Sequence, residues 1–194
     1  LKVEVLVEQG AGEKAFASDA DYEAVGAKTV SRDDVFAKAE VLLQIQPPAE
    51  GDTERIKDSQ VWISAFNPLW DTALVKTFLD KGITTFSLDL IPRTTRAQAM
   101  DILSSMATVS GYMAVLEAAA KLPTFFPMFM TAAGTIRPAN VLILGAGVAG
   151  LQAIATSRKL GAQVQVFDVR SAVKEEVMSL GGKFVEVEGA TEDK

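Results

Sequence analysis

The 194-residue chain contains no cysteine and no histidine. Without cysteine there is no disulfide, no thiolate zinc site and no thiol nucleophile. Without histidine there is no Ser-His-Asp triad and no imidazole proton shuttle near neutral pH. Catalysis by this chain must therefore rest on carboxylates, lysine, hydroxyls or a bound cofactor, and no metal is expected. Positive charge is in deficit, 19 Lys+Arg against 25 Asp+Glu for a net charge of −6. That balance argues against sequence-independent nucleic-acid binding, which needs a basic surface. Long apolar runs are missing too. No stretch approaches the roughly 20 uninterrupted apolar residues of a membrane span. The most apolar helical segment, Tyr112 to Leu122, is interrupted by Glu117 and Lys121. The chain is expected not to cross a bilayer, although it could sit beside one. It begins at Leu1 rather than Met, so targeting signals are out of view.

What is present is the composition of a globular α/β protein, 48% apolar and 23% charged. At roughly 150 residues per domain, the length suits one large domain or two small ones. Lys2 to Val7 alternates polar and apolar residues, a strand pattern. Ser31 opens a short helix with Asp33 and Asp34 in its first turn. Val41 to Ile45 reads as a buried strand ended by Pro47 and Pro48, and Gly51 to Asp58 as another short helix. Val61 to Ala65 is strand-like. Asn67 and Pro68 then offer an N-cap and first-turn proline to a helix ending near Gly82, before a strand over Ile83 to Leu88. Strand and helix alternate at short spacing, which favours a parallel sheet with helices on its faces.

From Thr95 the texture changes. Met100, Leu103, Met106, Met113 and Leu116 recur at helical spacing, predicting one long helix to about Leu122 with Gly111 inside it. Thr131 to Pro138 reads as a linker. Asn140 to Leu144 is then a buried strand, followed by a glycine-rich turn and a helix capped by Gly161. Gln163 to Phe167 is a strand ending at Asp168, Ala172 to Leu180 a helix, and Lys183 to Val187 a third strand. This is half of a doubly wound dinucleotide fold. The expectation is an α/β chain of two Rossmann-like parallel-sheet units joined by a long helix, residues 1–134 and 135–194. The second unit reads as truncated, and the sequence as cut at both ends.

A lone G-x-G-x-x-G says little, because glycine-rich turns are common. Here Gly145, Gly147 and Gly150 follow an apolar strand, open a helix and precede an acid at a strand end, the context a dinucleotide site needs. Gly145 permits the tight turn, Gly147 lets backbone approach a pyrophosphate, and Gly150 lets the helix pack on the strand. The alternative is a tight turn with no ligand. Asp168, about 20 residues on, can accept both ribose hydroxyls and disfavours a 2′-phosphate, so NAD is expected over NADP. Arg170 can be read as serving a 2′-phosphate, as a partner for Asp168, or as a surface residue.

The segment Pro92-Arg93-Thr94-Thr95-Arg96-Ala97-Gln98-Ala99-Met100-Asp101-Ile102-Leu103-Ser104 resembles the NAD(H)-binding domain of proton-translocating nicotinamide nucleotide transhydrogenase. Gly111-Tyr112, Thr131 to Gly134, Gly145 to Gly150, Phe167 to Arg170 and Glu175 to Phe184 extend the match. It is specific over about residues 85 to 188 and looser before, chiefly at Val7 to Gly12 and Asn67-Pro68. Alanine dehydrogenase belongs to the same superfamily. Its pattern has a lysine after the strand at Val41–Ile45 and a histidine after the one at Val61–Ala65. Gln44 or Gln46 stands in place of that lysine, and the chain has no histidine.

The resemblance implies direct hydride transfer between NAD(H) and NADP(H), the latter held by a partner domain, and a membrane proton-channel domain coupled to it. It implies a homodimer. It also implies a cytoplasmic location, peripheral on the inner face of a bacterial plasma membrane, or the matrix side in a mitochondrion. It puts Arg93, Gln98, Asp101 and Ser104 at the nicotinamide end. The cofactor is then expected on Gly145, Ala146, Gly147, Val148, Ala149, Gly150, Asp168, Val169 and Arg170. Spacing alone leaves simpler roles open. Gln98 completes a capping-box pattern with Thr95, Asp101 can be a solvated early-helix acid, Ser104 can bond back to a carbonyl, and Arg93 can be a surface cation. The alternatives of function are an alanine dehydrogenase-like amino-acid oxidoreductase and a non-catalytic NAD-sensing module.

Overall fold

The computed structural model describes residues 3–189. By internal packing the chain divides into two units, Leu1–Asp101 and Ile102–Lys194.

The first unit alternates strand and helix: β1 (Leu6–Glu8), α1 (Asp19–Ala24), β2 (Lys28–Val30), α2 (Arg32–Lys38), β3 (Val41–Leu43), α3 (Asp52–Arg55), β4 (Val61–Ser64), α4 (Thr72–Asp80) and β5 (Thr84–Ser87). All pairings are parallel: β1 with β2, and β4 between β3 and β5. The core is aromatic. Trp62 on β4 is 1% exposed, stacks on Phe36 at 6.1 Å and meets Phe78 at 6.3 Å. Its indole N–H is not orphaned by this burial, because it donates to Ser64 Oγ at 2.7 Å. Gln60, also buried, donates to the carbonyls of Phe36 and Ala39 at the end of α2. Arg32 joins β1 to α3, bonding Glu8 and the buried Asp52 at 2.6 Å each.

The burial expected of the strand at Val41–Ile45 is not found, since Val41, Leu43 and Ile45 are exposed and only Leu42 is buried. Strand β2 and helix α1 have no counterpart in the sequence reading, because the short segment between Ser18 and Val30 lacks a strong apolar period. Asn67 and Pro68 do not start α4. Asn67 adopts a left-handed φ of 48°, and its carbonyl accepts the N–H groups of Trp70 and Asp71 in a turn. The cap is Asp71, whose carboxylate accepts from Leu74 N–H at 3.0 Å.

The second unit holds α5 (Ile102–Lys121), a hairpin of β6 (Phe129–Thr131) and β7 (Gly134–Ile136), β8 (Asn140–Leu144), α6 (Val148–Lys159), β9 (Gln163–Phe167), α7 (Lys174–Ser179) and β10 (Lys183–Phe184). Strand β9 lies between β8 and β10, all parallel. Ile154, Val166 and Val177, one each from α6, β9 and α7, are fully buried in its core. The expected linker at 131–138 is instead largely the antiparallel hairpin, with Gly134 opening its second strand.

The expected single helix from Thr95 is two elements. A 3-10 segment over Thr95–Met100 ends at Asp101, whose ψ of 90° leaves the helical region, and α5 begins at Ile102. The compact units therefore part at Asp101 rather than at residue 134, because α5 packs along α6. By length and composition α5 is apolar enough to cross a membrane even with Glu117 and Lys121 in it, which corrects the expectation that no segment is. Here its Gly111 and Val115 are buried, and Val115 joins the core that includes Ala153 and Ile154 of α6.

Gly111 is where α5 and α6 meet most closely. A Cβ at that position would stand 2.1 Å from the carbonyl oxygen of Ala149. Helix propensity alone favours alanine there by about 1 kcal/mol. The clash with backbone outweighs it, since overpacking typically costs about 1–3 kcal/mol. Gly111→Ala is thus expected to lower the melting temperature, and a raised one would show that the two helices can separate without cost.

Candidate functional site

Strand β8 ends at Leu144, and the chain turns through Gly145 with φ of 97°, a conformation that side-chain-bearing residues rarely adopt. Gly145 N–H donates to the Phe167 carbonyl at 2.7 Å, so the turn is tied to the end of β9. Gly147 is the N-cap of α6, and no side chain caps this helix. A Cβ on Gly147 would meet nothing within 4 Å, whereas one on Gly150 would lie 1.9 Å from the Gly145 carbonyl oxygen. The two glycines thus serve different ends. Gly150 is required by packing of the fold, while Gly147 leaves open ground above the loop at a helix N-terminus. Uncapped N–H groups and the helix dipole suit that ground to an anionic group such as a pyrophosphate.

Asp168 follows β9 and is 6% exposed. Its Oδ2 accepts the Ala146 N–H at 2.7 Å, which fixes the loop from the strand side. Its Oδ1 accepts the backbone N–H of Arg170 at 2.8 Å. The Arg170 guanidinium adds one bond to each oxygen, Nε to Oδ1 and Nη2 to Oδ2, both at 3.1 Å. The guanidinium above all, with the backbone N–H groups of Ala146 and Arg170, holds the carboxyl well below the usual carboxylate range against the opposing effect of burial. Of the three readings open for Arg170, the structure shows a partner for Asp168. Sequence reasoning missed the Ala146 bond, because a backbone donor carries no residue-type signal. Val148 and Ala149 lie in the first turn of α6, and Val169 is exposed between Asp168 and Arg170.

Arg93, Gln98 and Asp101 lie within nine residues of one another at the end of the first unit, and Ser104 lies in the first turn of α5 in the second. Arg93 and Gln98 are exposed, and Asp101 and Ser104 are half-buried. The break at Asp101 means that Gln98, Asp101 and Ser104 do not share one continuous helical face. The capping reading of Gln98 is not realised either. The N-cap is Thr94, and no side chain bonds there.

Comparison with known proteins supplies the wider setting. Residues 1–110 match the family described as "Alanine dehydrogenase/PNT, N-terminal domain" and residues 114–194 its "C-terminal domain". An NAD(P) transhydrogenase subunit alpha polypeptide of Rhodospirillum rubrum is 45% identical over 194 residues, covering 97% of this chain and 50% of that protein. The chain thus spans about half the length of the curated relatives it matches first. The crystal structure of transhydrogenase from Sinorhizobium meliloti superposes with a TM-score of 0.92 at 44% identity, over 97% of this chain and 54% of that one. An L-alanine dehydrogenase structure shares the fold, with a TM-score of 0.82 at 22% identity, over 94% of this chain and 52% of that one.

The bonds at Asp168 set a pH dependence. Because its folded pKa is depressed, the stability it contributes is fully present above the unfolded value of about 4 and is lost as pH falls toward the folded value. Asp168→Asn is therefore expected to be less stable than the parent at pH 7, by about 1–3 kcal/mol. The gap should narrow below about pH 4. Denaturant titrations at several pH values check this, and a gap independent of pH would remove the ionised carboxylate from the account.

Proposed function

The chain belongs to the alanine dehydrogenase/PNT family, and from that premise we propose that it is the NAD(H)-binding component of a transhydrogenase. It takes part in direct hydride transfer between NAD(H) and NADP(H), coupled in the intact enzyme to proton movement across a membrane. The observation that carries this reading is the loop Gly145–Gly150, open above Gly147 and bonded through Ala146 to the buried Asp168. The fold and family together imply NAD(H) binding. The loop backbone and the start of α6 would hold the pyrophosphate, and Asp168 with Val169 the adenosine ribose.

The nicotinamide, when bound, supplies the hydride at its C4 position. The chain's own residues then have only to hold the ring, since direct transfer between two nicotinamides releases no proton from a substrate. Arg93, Gln98, Asp101 and Ser104 are proposed for that positioning. A site without histidine or cysteine suits it. The same absence disfavours the amino-acid oxidoreductase branch. Of the two glutamines that stand in place of that branch's lysine, Gln44 donates to the Gln46 carbonyl at 2.7 Å. The partners this reading requires are an NADP(H)-binding domain, a membrane proton-channel domain and a second copy of the chain. It locates the protein at the inner face of the membrane that holds them.

Positioning and binding can be separated by rate. Gln98→Ala or Asp101→Ala is expected to slow single-turnover transfer to an NADP analogue by roughly ten- to several-hundred-fold, because a misplacement of about 1 Å can cost about 100-fold. NADH affinity should change only a few-fold, since the pyrophosphate and ribose contacts are intact. Stopped-flow absorbance measures both. A normal rate would remove these residues from the reaction, and tight NADH binding with no transfer by the parent protein would mark a sensing module.

A further inference from the structure

A carboxylate has about four hydrogen-bond acceptor sites, two on each oxygen. At Asp168 all four are taken. Two of the donors are backbone N–H groups, Ala146 on Oδ2 and Arg170 on Oδ1, and they last as long as the fold does. The other two come from the single Arg170 guanidinium, which places one N–H on each oxygen at 3.1 Å. The vicinal 2′- and 3′-hydroxyls of an adenosine ribose can offer the same pattern, two adjacent donors with one for each oxygen. Fork and diol therefore need the same two acceptor sites, and Asp168 cannot serve both.

The two partners are not equally placed to move. The Arg170 side chain is 52% exposed and that of Asp168 only 6%. Withdrawing the guanidinium returns a half-solvated group to water, whereas moving the carboxylate would break the Ala146 bond and open the loop. On the reading of the loop as an NAD(H) site, we infer that Arg170 is an internal competitor for the ribose. It fills the diol's place on Asp168 and must swing away for the nucleotide to bind. The resting pair keeps the carboxylate charged and the loop set. Apparent affinity then scales with the fraction of molecules in which the pair is open.

The test is NADH titration of the full-length protein by fluorescence or calorimetry. Arg170→Lys keeps the positive charge but not the fork, and Arg170→Ala removes both. Both variants are expected to bind NADH more tightly, by about 3- to 10-fold, the range set by the modest strength of a half-exposed ion pair. In an Asp168→Ala background, Arg170→Ala should bring no gain, because nothing remains to compete for; this closes a double-mutant cycle. Weakened or unchanged binding in the Arg170 variants overturns the inference, as does a gain that persists without Asp168. If Asp168→Ala alone leaves NADH affinity unaltered, the ribose reading of the loop falls and the inference falls with it. The first two results would leave the ribose reading standing.

Discussion

The Asp168 carboxylate is the constraint on which the second unit's working end depends. It sits at the end of β9 with almost no exposure, and its bond to Ala146 N–H spans from that strand to the glycine loop at the end of β8. The Gly145 N–H bond to Phe167 makes the same link one residue away. Together they fix a turn that no side chain of its own could hold, since three of its six residues are glycine. A buried carboxylate is costly without partners. Asp168 meets this cost with backbone and guanidinium donors.

The helix that carries the loop depends on a second close approach. Gly111 brings α5 against the first turn of α6 at Ala149, two residues past Gly147. Packing of the long helix is thus coupled to the position of the loop's own N-terminal turn. This contact accounts for the side of α5 that holds Gly111 and Val115, while Leu103, Met106, Val109 and Met113 stay exposed. A helix whose Val115 enters the core beside Ala153 and Ile154 needs small and apolar residues on that side.

Much of this was legible in the sequence because the signals were local. The β8–loop–α6–β9 unit follows from an apolar run, three glycines at fixed spacing and an acid at a strand end, and each element stands where it was read. The parallel sheet of the first unit was legible through Val41, Val61 and their neighbours. What was not legible depended on backbone geometry or on tertiary partners. The start of α4 was misplaced because Asn67-Pro68 has the chemistry of a cap, while the left-handed turn at Asn67 hands that role to Asp71. The break at Asp101 was missed because the apolar period runs straight through it. The hairpin at Phe129–Ile136 lacks strand alternation on either arm, so most of it falls within Thr131 to Pro138, the segment that reads as a linker. At the site, Asp168 and Arg170 were found by type and spacing. That the Arg170 guanidinium takes up half of Asp168's acceptor capacity is visible only in the distances.

The central claim is that this chain holds NADH so that hydride passes straight to a second nicotinamide. Isotope transfer tests it most directly. NADH deuterated on the transferred face of C4 would be mixed with the full-length protein, its cognate NADP-binding domain and oxidised NADP, and the products analysed by mass spectrometry. Direct transfer places the deuterium in NADPH without loss to water. Deuterium appearing in solvent, or NADPH formed without the label, would contradict the account.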